Sequence, residues 1–132
     1  MYNSNMTISD WDFSPEKIAI YRETAIRRQK EHQSELKTRK ERAWELARQA
    51  AKLLREKYNV KRVVVFGSLI HEGCFTQWSD VDIAAWGIPA DLTFRAIGDV
   101  LDLDKTQEIN LVDVNTCQPS LLTIIELDGA DL

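Results

Sequence analysis

The sequence predicts an α/β fold in which a mixed β-sheet is flanked by helices and preceded by one long N-terminal helix. No proline or glycine interrupts residues 16–66, and the chain beyond residue 60 alternates short apolar, β-branched runs with helical patterns. A chain of 132 residues with 44% hydrophobic content can build one core and little more. We therefore expect one α/β domain with a helical appendage.

The long helix is predicted over residues 14–57. Ser14 is a favourable N-cap, Pro15 suits the first helical position, and Glu16 complements the positive end of the helix. Apolar residues then recur at steps of three and four, which predicts that the second half of the helix docks on the sheet. This stripe consists of Leu36, Ala43, Ala47, Ala50 and Leu54.

The first half of the helix is predicted to project from the domain, because Leu36 is the only large aliphatic residue between Arg27 and Arg42. Residues 22–57 hold twelve of the seventeen Lys and Arg residues and six of the twenty-one acids, a local charge of +6 against −10 elsewhere. This imbalance indicates either a negative partner, such as an acidic protein or RNA, or a solvated helix face. Direct binding of nucleic acid therefore stays open.

An apolar patch lies near the start of the helix and consists of Ile18, Ile20, Tyr21 and Ile26, with Trp11 and Phe13 before it. Such a patch is expected either to fold back on the protein or to bind a partner. The polar residues that begin the chain predict a flexible N-terminus over residues 1–13.

The remaining elements are predicted in the order strand 61–66, short helix 68–72, strand 80–86, helix from Pro89 to about Asp104, strand 108–114 and a short helix from Pro119. Two sets of apolar residues are expected to face inward from the last two helices. They are Leu92, Ala96, Ile97, Val100 and Leu101 in the first, and Leu121, Leu122, Ile124 and Ile125 in the second.

Gly67 and Ser68 end the first strand and are candidates for binding phosphate. Glycine lets a ligand approach the backbone closely, and the Ser68 hydroxyl lies beside backbone N–H groups at the start of a turn or helix. A Gly-Ser pair alone is a weak signal.

Asp80 and Asp82 form the second half of the motif. Side chains alternate along a strand, so both carboxylates share one face while Val81 and Ile83 enter the core. Two such carboxylates repel each other unless a divalent cation neutralises them, and Mg²⁺ typically bridges one or two carboxylates and the phosphates of a substrate. An exposed acidic edge strand is the alternative for an isolated pair.

The joined motif resembles the signature of the minimal nucleotidyltransferase (MNT) family of the DNA polymerase beta superfamily. That signature is Gly-Ser, about ten residues, then Asp-x-Asp; here Phe66–Ser68 and Ser79–Ala84 match it with one extra residue in the spacer. The resemblance covers roughly residues 60–128 and implies a polymerase beta-like nucleotidyltransferase domain over residues 58–132.

One departure concerns the third metal-binding carboxylate, which the family carries on a neighbouring strand. The corresponding segment Ile109–Asp113 places Asn110 at the carboxylate position, while Asp113 should point to the opposite strand face. Asn110 can ligate a cation only through a neutral oxygen. Either metal affinity is reduced, or Glu108 or Asp113 supplies the third ligand.

The resemblance implies transfer of AMP from ATP to a hydroxyl group, with Mg²⁺ held by Asp80 and Asp82 and phosphates held by Gly67 and Ser68. Relatives of this size are often antitoxins of MNT/HEPN pairs, which implies a hetero-oligomer in which a tyrosine of the partner HEPN ribonuclease accepts AMP. Two alternatives are an antitoxin that neutralises its partner by contact alone and a nucleotidyltransferase that acts on a small molecule.

Three further expectations concern two side chains and the location of the protein. His71, between the motif halves, could contact a phosphate but is expected to be an exposed loop residue, and Trp78 could stack on a nucleobase but is expected in the core. The chain has no apolar run near the roughly eighteen residues of a membrane span and no signal-peptide pattern at its start, so we expect a cytoplasmic protein with no membrane partner.

Overall fold

The computed structural model of the protein describes residues 14–132. The chain divides into two compact units, Met1–Glu35 and Leu36–Leu132. The predicted flexible N-terminus, with Trp11 and Phe13, lies outside the described residues.

Helix α1 (Pro15–Tyr58) contributes to both units. The Ser14 hydroxyl accepts a hydrogen bond from the Lys17 backbone N–H at 3.3 Å, as an N-cap should. In the first unit the apolar patch of Ile18, Ile20, Tyr21 and Ile26 is exposed to solvent. In the second unit one face of the helix is buried: Ala43, Leu46, Ala47, Ala50, Ala51, Leu54 and Tyr58.

The second unit is built on a four-stranded mixed sheet of order β3-β2-β1-β4. The strands are β1 (Arg62–Phe66), β2 (Val81–Trp86), β3 (Ile109–Asp113) and β4 (Ala130–Asp131). Strand β1 is antiparallel to both β2 and β4, and β2 is parallel to β3. The mixed sheet is as predicted, but the two-residue β4 was not foreseen because so short a strand has no periodic pattern.

The two faces of the sheet are covered differently. One face packs on the buried stripe of α1 and on α2 (Thr93–Leu101), through Val63, Val65, Val81, Ile83, Ala85, Ile109 and Leu111. The other face packs on α3 (Pro119–Asp128), where Val64, Phe66 and Ala84 surround the fully buried Ile125. Two helices therefore cover the first face and one helix covers the second.

Two predictions about the shorter helices are wrong. The helix expected from Pro89 to about Asp104 is a 3₁₀ turn (Ala90–Leu92) followed by α2, and Leu101 at its end is exposed. Leu103, in the turn after α2, packs against the core instead. Ile124 of α3 is also exposed, because α3 contacts the sheet along a narrow stripe centred on Ile125.

Among residues 14–132, no helix combines the length and the apolar character that crossing a membrane requires.

Candidate functional site

The candidate site lies at one edge of the sheet, where β1 ends and β2 and β3 begin. The register pairs Phe66 with Asp82 and Asp82 with Asn110, so three neighbouring strands bring these positions side by side. Asp82 lies on the strand face that carries Ala84, which is the face that α3 covers further along the sheet.

Asn110 connects the two predicted metal ligands. Its side-chain Nδ2 donates hydrogen bonds to Oδ2 of Asp80 and to Oδ1 of Asp82, each at 3.3 Å. The amide therefore lies beside both carboxylates and presents donor hydrogens to them, with no negative charge of its own.

The negative charge of Asp80 disfavours the charged forms of two neighbouring carboxylates, Asp82 and Glu108. Burial raises the pKa of Asp82 and the negative charge of Asp80 raises it further, while the hydrogen bond from Asn110 opposes both effects. The negative charge of Asp80, followed by a hydrogen bond to it, also raises the pKa of Glu108. The side chain of Glu108 therefore lies beside Asp80. The backbone carbonyl of Glu108 accepts a hydrogen bond from the Val81 N–H at 2.9 Å.

Gly67 fits against Asp82 with no room for a side chain. It adopts a φ of +79°, and a Cβ at this position would lie 2.6 Å from Oδ2 of Asp82. Both the backbone conformation and the close approach therefore require glycine. Ser68 follows within the 3₁₀ turn Gly67–Ile70, and its hydroxyl makes no hydrogen bond to any other residue in the described part of the chain.

This donor set fits a cation that is shared with a ligand better than one held by protein alone. Within residues 14–132, no three His, Cys, Asp or Glu side chains converge as a metal site. Mg²⁺ is usually bound by one or two carboxylates together with substrate phosphates. Asp80 and Asp82 supply the carboxylates, and the repulsion that Asp80 exerts on the charged form of Asp82 is consistent with such a cation.

The structure does not bring Asp113 to this edge. Asp113 is buried near the far end of β3, where it pairs with Ala85 and accepts hydrogen bonds from Thr93 Oγ1 at 2.8 Å and from the Asn115 N–H at 3.0 Å. Strand alternation explains the separation, because residues three apart point to opposite faces.

Sequence reasoning missed one residue that supports the site. Gln107 is buried, and its Nε2 donates to the backbone carbonyls of Ser79 at 3.0 Å and Glu108 at 3.2 Å. It thereby ties the segment before Asp80 to the start of β3. No local pattern distinguishes this glutamine from a surface residue, because its partner Ser79 lies 28 residues away along the chain.

The other candidate residues are divided between surface and packing positions. His71 is an exposed loop residue, as expected. Trp78 was expected in the core, but 83% of its surface is exposed. Trp86 is half-buried, and the Arg62 guanidinium lies 4.5 Å from the centroid of its ring.

Replacing Asn110 with Asp is expected to lower the stability of the metal-free protein and to tighten Mg²⁺ binding. The change removes two hydrogen bonds and adds a third negative charge beside Asp80 and Asp82. The measurement is thermal unfolding with increasing Mg²⁺, and the variant should show the larger Mg²⁺-dependent rise in melting temperature.

Two controls accompany the Asn110 variant. Asn110→Ala removes the same hydrogen bonds without adding charge, and Asp113→Asn keeps an oxygen that can accept from Thr93. Neither should tighten Mg²⁺ binding. A silent Asn110→Asp variant together with an Asp113→Asn variant that loses activity would show that Asp113 serves the site.

Replacing Gly67 with Ala is expected to destabilise the protein by about 1–3 kcal/mol and to displace the Asp82 carboxylate. Gly73→Ala is a matched control, because Gly73 has a φ of +77° but an added Cβ there would meet no atom within 4 Å. Strain from positive φ is common to both variants. Only Gly67→Ala should weaken binding of ATP with Mg²⁺, as measured by calorimetry; equal weakening in both variants would contradict the contact with Asp82.

Comparisons with known proteins identify the fold. No protein-family model and no curated protein sequence matches the chain. Solved structures that are similar include a mutant MntA toxin–antitoxin complex, at 24% identity and a TM-score of 0.53, covering 64% of this chain and 69% of that chain. Another is a toxin–antitoxin with AMP-PNP, at 20% identity and a TM-score of 0.51, covering 61% and 67%.

A third similar structure is a tri-AMPylated Shewanella oneidensis HEPN toxin in complex with an MNT antitoxin. It is 18% identical, with a TM-score of 0.50, and the match covers 67% of this chain and 70% of that chain. At these identities the comparisons show the fold, and the predicted nucleotidyltransferase fold with its long N-terminal helix is confirmed.

Proposed function

We propose that the protein is a nucleotidyltransferase that moves AMP from ATP to a tyrosine hydroxyl of a HEPN ribonuclease partner and thereby acts as its antitoxin. The observation that carries the proposal is the Asp80–Asp82 pair, joined by Asn110 and with Asp82 packed against Gly67, at the edge of a nucleotidyltransferase fold. Similar structures support it, since one contains AMP-PNP and another an AMPylated HEPN toxin.

In this proposal Gly67 and Ser68 hold the β- and γ-phosphates of ATP. Gly67 lets the Asp82 carboxylate lie against the turn, and the Ser68 hydroxyl that follows is the donor to phosphate in this proposal. Mg²⁺ bound by Asp80 and Asp82 would supply positive charge to the α-phosphate and to the departing pyrophosphate.

The transfer itself exchanges one phosphorus–oxygen bond for another. The acceptor hydroxyl oxygen forms a bond to the α-phosphorus, the bond to the β-phosphate oxygen breaks, and pyrophosphate leaves with that electron pair. The hydroxyl proton passes to solvent or to a nearby carboxylate. The protein contributes mainly by positioning the nucleotide and by stabilising charge.

Asn110 supports a second candidate function, an antitoxin that neutralises its partner by contact with little catalysis. The amide donates to both carboxylates and brings no negative charge of its own to the third position. A site with two carboxylates has less charge for holding a cation than one with three. The two functions differ in whether Asp80 and Asp82 are needed to silence the partner.

The test is to purify the protein with its co-expressed partner and to measure intact masses with ATP and Mg²⁺. Transfer predicts a partner mass that rises by one or more AMP groups. An ATP analogue with a methylene bridge between the α- and β-phosphates is the matched control, because it cannot release pyrophosphate. A partner that is silenced without any mass gain would establish the contact-only function and overturn transfer.

A further inference from the structure

Asp80, the first carboxylate of the candidate site, lies just outside the regular part of the sheet. Strand β2 begins at Val81 and β3 begins at Ile109, so Asp80 and the neighbouring Glu108 both precede the strands that pair. The ladder of strand hydrogen bonds therefore does not by itself orient this carboxylate. Its position depends on the groups that hold the backbone around it.

The side-chain amide of Gln107 holds this backbone on both sides of Asp80. Its Nε2 donates at 3.0 Å to the Ser79 carbonyl, which belongs to the peptide that enters Asp80. It also donates at 3.2 Å to the Glu108 carbonyl, which accepts the N–H of Val81, the residue that follows Asp80. One amide group thus secures the peptides before and after the carboxylate.

An amide is the side-chain group that these contacts require. Both neighbours are backbone carbonyls, which only accept hydrogen bonds, and the side-chain nitrogen of Gln107 carries two hydrogens, one for each carbonyl. Only 7% of the glutamine surface is exposed, and burying an amide without partners is strongly unfavourable. The contacts therefore account for a buried glutamine at this position.

A short loop holds Gln107 in turn. One oxygen of the Asp104 carboxylate accepts from the Thr106 N–H and the Thr106 hydroxyl, each at 2.7 Å, and from the Gln107 N–H at 3.2 Å. The other oxygen accepts from Arg42 of α1 at 3.2 Å. The hydrogen bond from the Thr106 hydroxyl, followed by the one from its N–H, lowers the pKa of Asp104, so these bonds are made to a charged carboxylate at neutral pH.

We propose that Gln107 is a positioning residue for the Asp80–Asp82 pair: it fixes the backbone that carries Asp80, and the Asp104 loop fixes Gln107. The inference rests on the proposed function, in which the pair holds the Mg²⁺ that is shared with the nucleotide. Replacing residues that orient metal ligands typically changes metal affinity by about 10- to 100-fold. Gln107 acts on the cation through Asp80, without touching it.

The experiment measures the Mg²⁺ affinity of the full chain from thermal unfolding with increasing Mg²⁺. The main variant is Gln107→Met, which keeps the length of the side chain and removes both donors. We expect about 10-fold weaker Mg²⁺ binding. In the transfer assay the variant should need about 10-fold more Mg²⁺ for its half-maximal rate, while the rate at saturating Mg²⁺ changes less. Asp104→Ala, which acts only through the loop, should weaken Mg²⁺ binding by a smaller factor.

Thr93→Val is the matched control for lost stability. Thr93 donates to Asp113 at 2.8 Å near the far end of β3, so this change also removes a partly buried hydrogen bond but leaves the carboxylate pair alone. The control should lower the melting temperature and leave Mg²⁺ affinity unchanged. Hydrogen exchange of the Val81 N–H, relative to that of Ile83 further along β2, provides a readout without metal. This exchange should quicken in Gln107→Met and not in the control.

Several results would overturn the positioning role. Unchanged Mg²⁺ affinity in Gln107→Met, or equal weakening in Thr93→Val, would show that the glutamine serves stability alone. If Gln107→Met does not fold, Asp104→Ala decides, and unchanged Mg²⁺ affinity in that variant overturns the inference. An unaltered protein that Mg²⁺ does not stabilise overturns it even if the partner gains AMP. Conversely, an unaltered protein that transfers no AMP overturns the proposed function, while weaker Mg²⁺ binding in Gln107→Met still supports the positioning role.

Discussion

Replacing Asp80 and Asp82 together with Asn is expected to lower AMP transfer by roughly 10³-fold or more while leaving the fold intact. Charge stabilisation by a bound cation is worth several kcal/mol in the transition state, and each 1.36 kcal/mol changes a rate about tenfold. The measurement is the intact mass of the partner after incubation with ATP and Mg²⁺. A double variant that still labels its partner would end the catalytic interpretation.

The same double variant is expected to be at least as stable as the unaltered protein when no metal is present. The pKa of Asp82 is raised above its ordinary value of 3.8, so the folded state disfavours the charged carboxylate. The contribution of Asp82 to the free energy of unfolding is therefore present at low pH and is lost as the pH rises through the raised pKa. The gain in melting temperature should therefore be largest near neutral pH and vanish below pH 3.8.

Added Mg²⁺ provides the control for this stability difference. Because a cation favours the charged carboxylates, Mg²⁺ should stabilise the unaltered protein and leave the double variant unchanged. A double variant that is less stable than the unaltered protein at neutral pH would contradict the electrostatic account of the site.

Deleting residues 1–34 is expected to weaken partner binding strongly while leaving a domain that still binds ATP with Mg²⁺. The deletion removes nearly all of the first compact unit, Met1–Glu35, and keeps the buried stripe of α1 and every strand. It also removes the exposed patch of Ile18, Ile20, Tyr21 and Ile26. We therefore propose that the basic helix makes the principal contact with the partner.

Charge reversal tests the electrostatic part of this contact. Changing Arg27, Arg28 and Lys30 to Glu should slow association by about 10-fold or more at low salt, and the effect should shrink as salt is raised. Reversal of three exposed cations outside α1 gives the same net charge and serves as the control: Lys61, Arg95 and Lys105.

Three outcomes would contradict this role for the basic helix. Unchanged affinity in the truncated protein would show that the first unit is a solvated extension. Equal slowing by both sets of reversals would show that net charge, and not the basic helix, governs association. If the truncated chain failed to bind ATP, the nucleotide site would depend on the deleted residues, which contradicts the expectation that the second unit binds ATP by itself.

The sequence by itself determined the elements whose signals are local. A proline-capped start, an uninterrupted helical pattern and a stripe of alanines specified α1, and β-branched runs specified three strands. The same local rules placed Asp80 and Asp82 on one strand face and predicted a glycine turn suited to phosphate before them. The resemblance carried by those residues implied the nucleotidyltransferase fold, which the similar solved structures confirm.

Only the tertiary structure decided which distant groups meet. The pairing of β2 with β3 brings Asn110 to both carboxylates. Tertiary packing also decided three other features of the site. Trp78 is exposed, Gln107 holds the carbonyl of Ser79, and Asp113 lies away from the Asp80–Asp82 pair. The periodicity of the sequence predicts which residues lie on the same face of a strand or helix. What that face contacts depends on strand order and register, and these are set by the packing of the whole core.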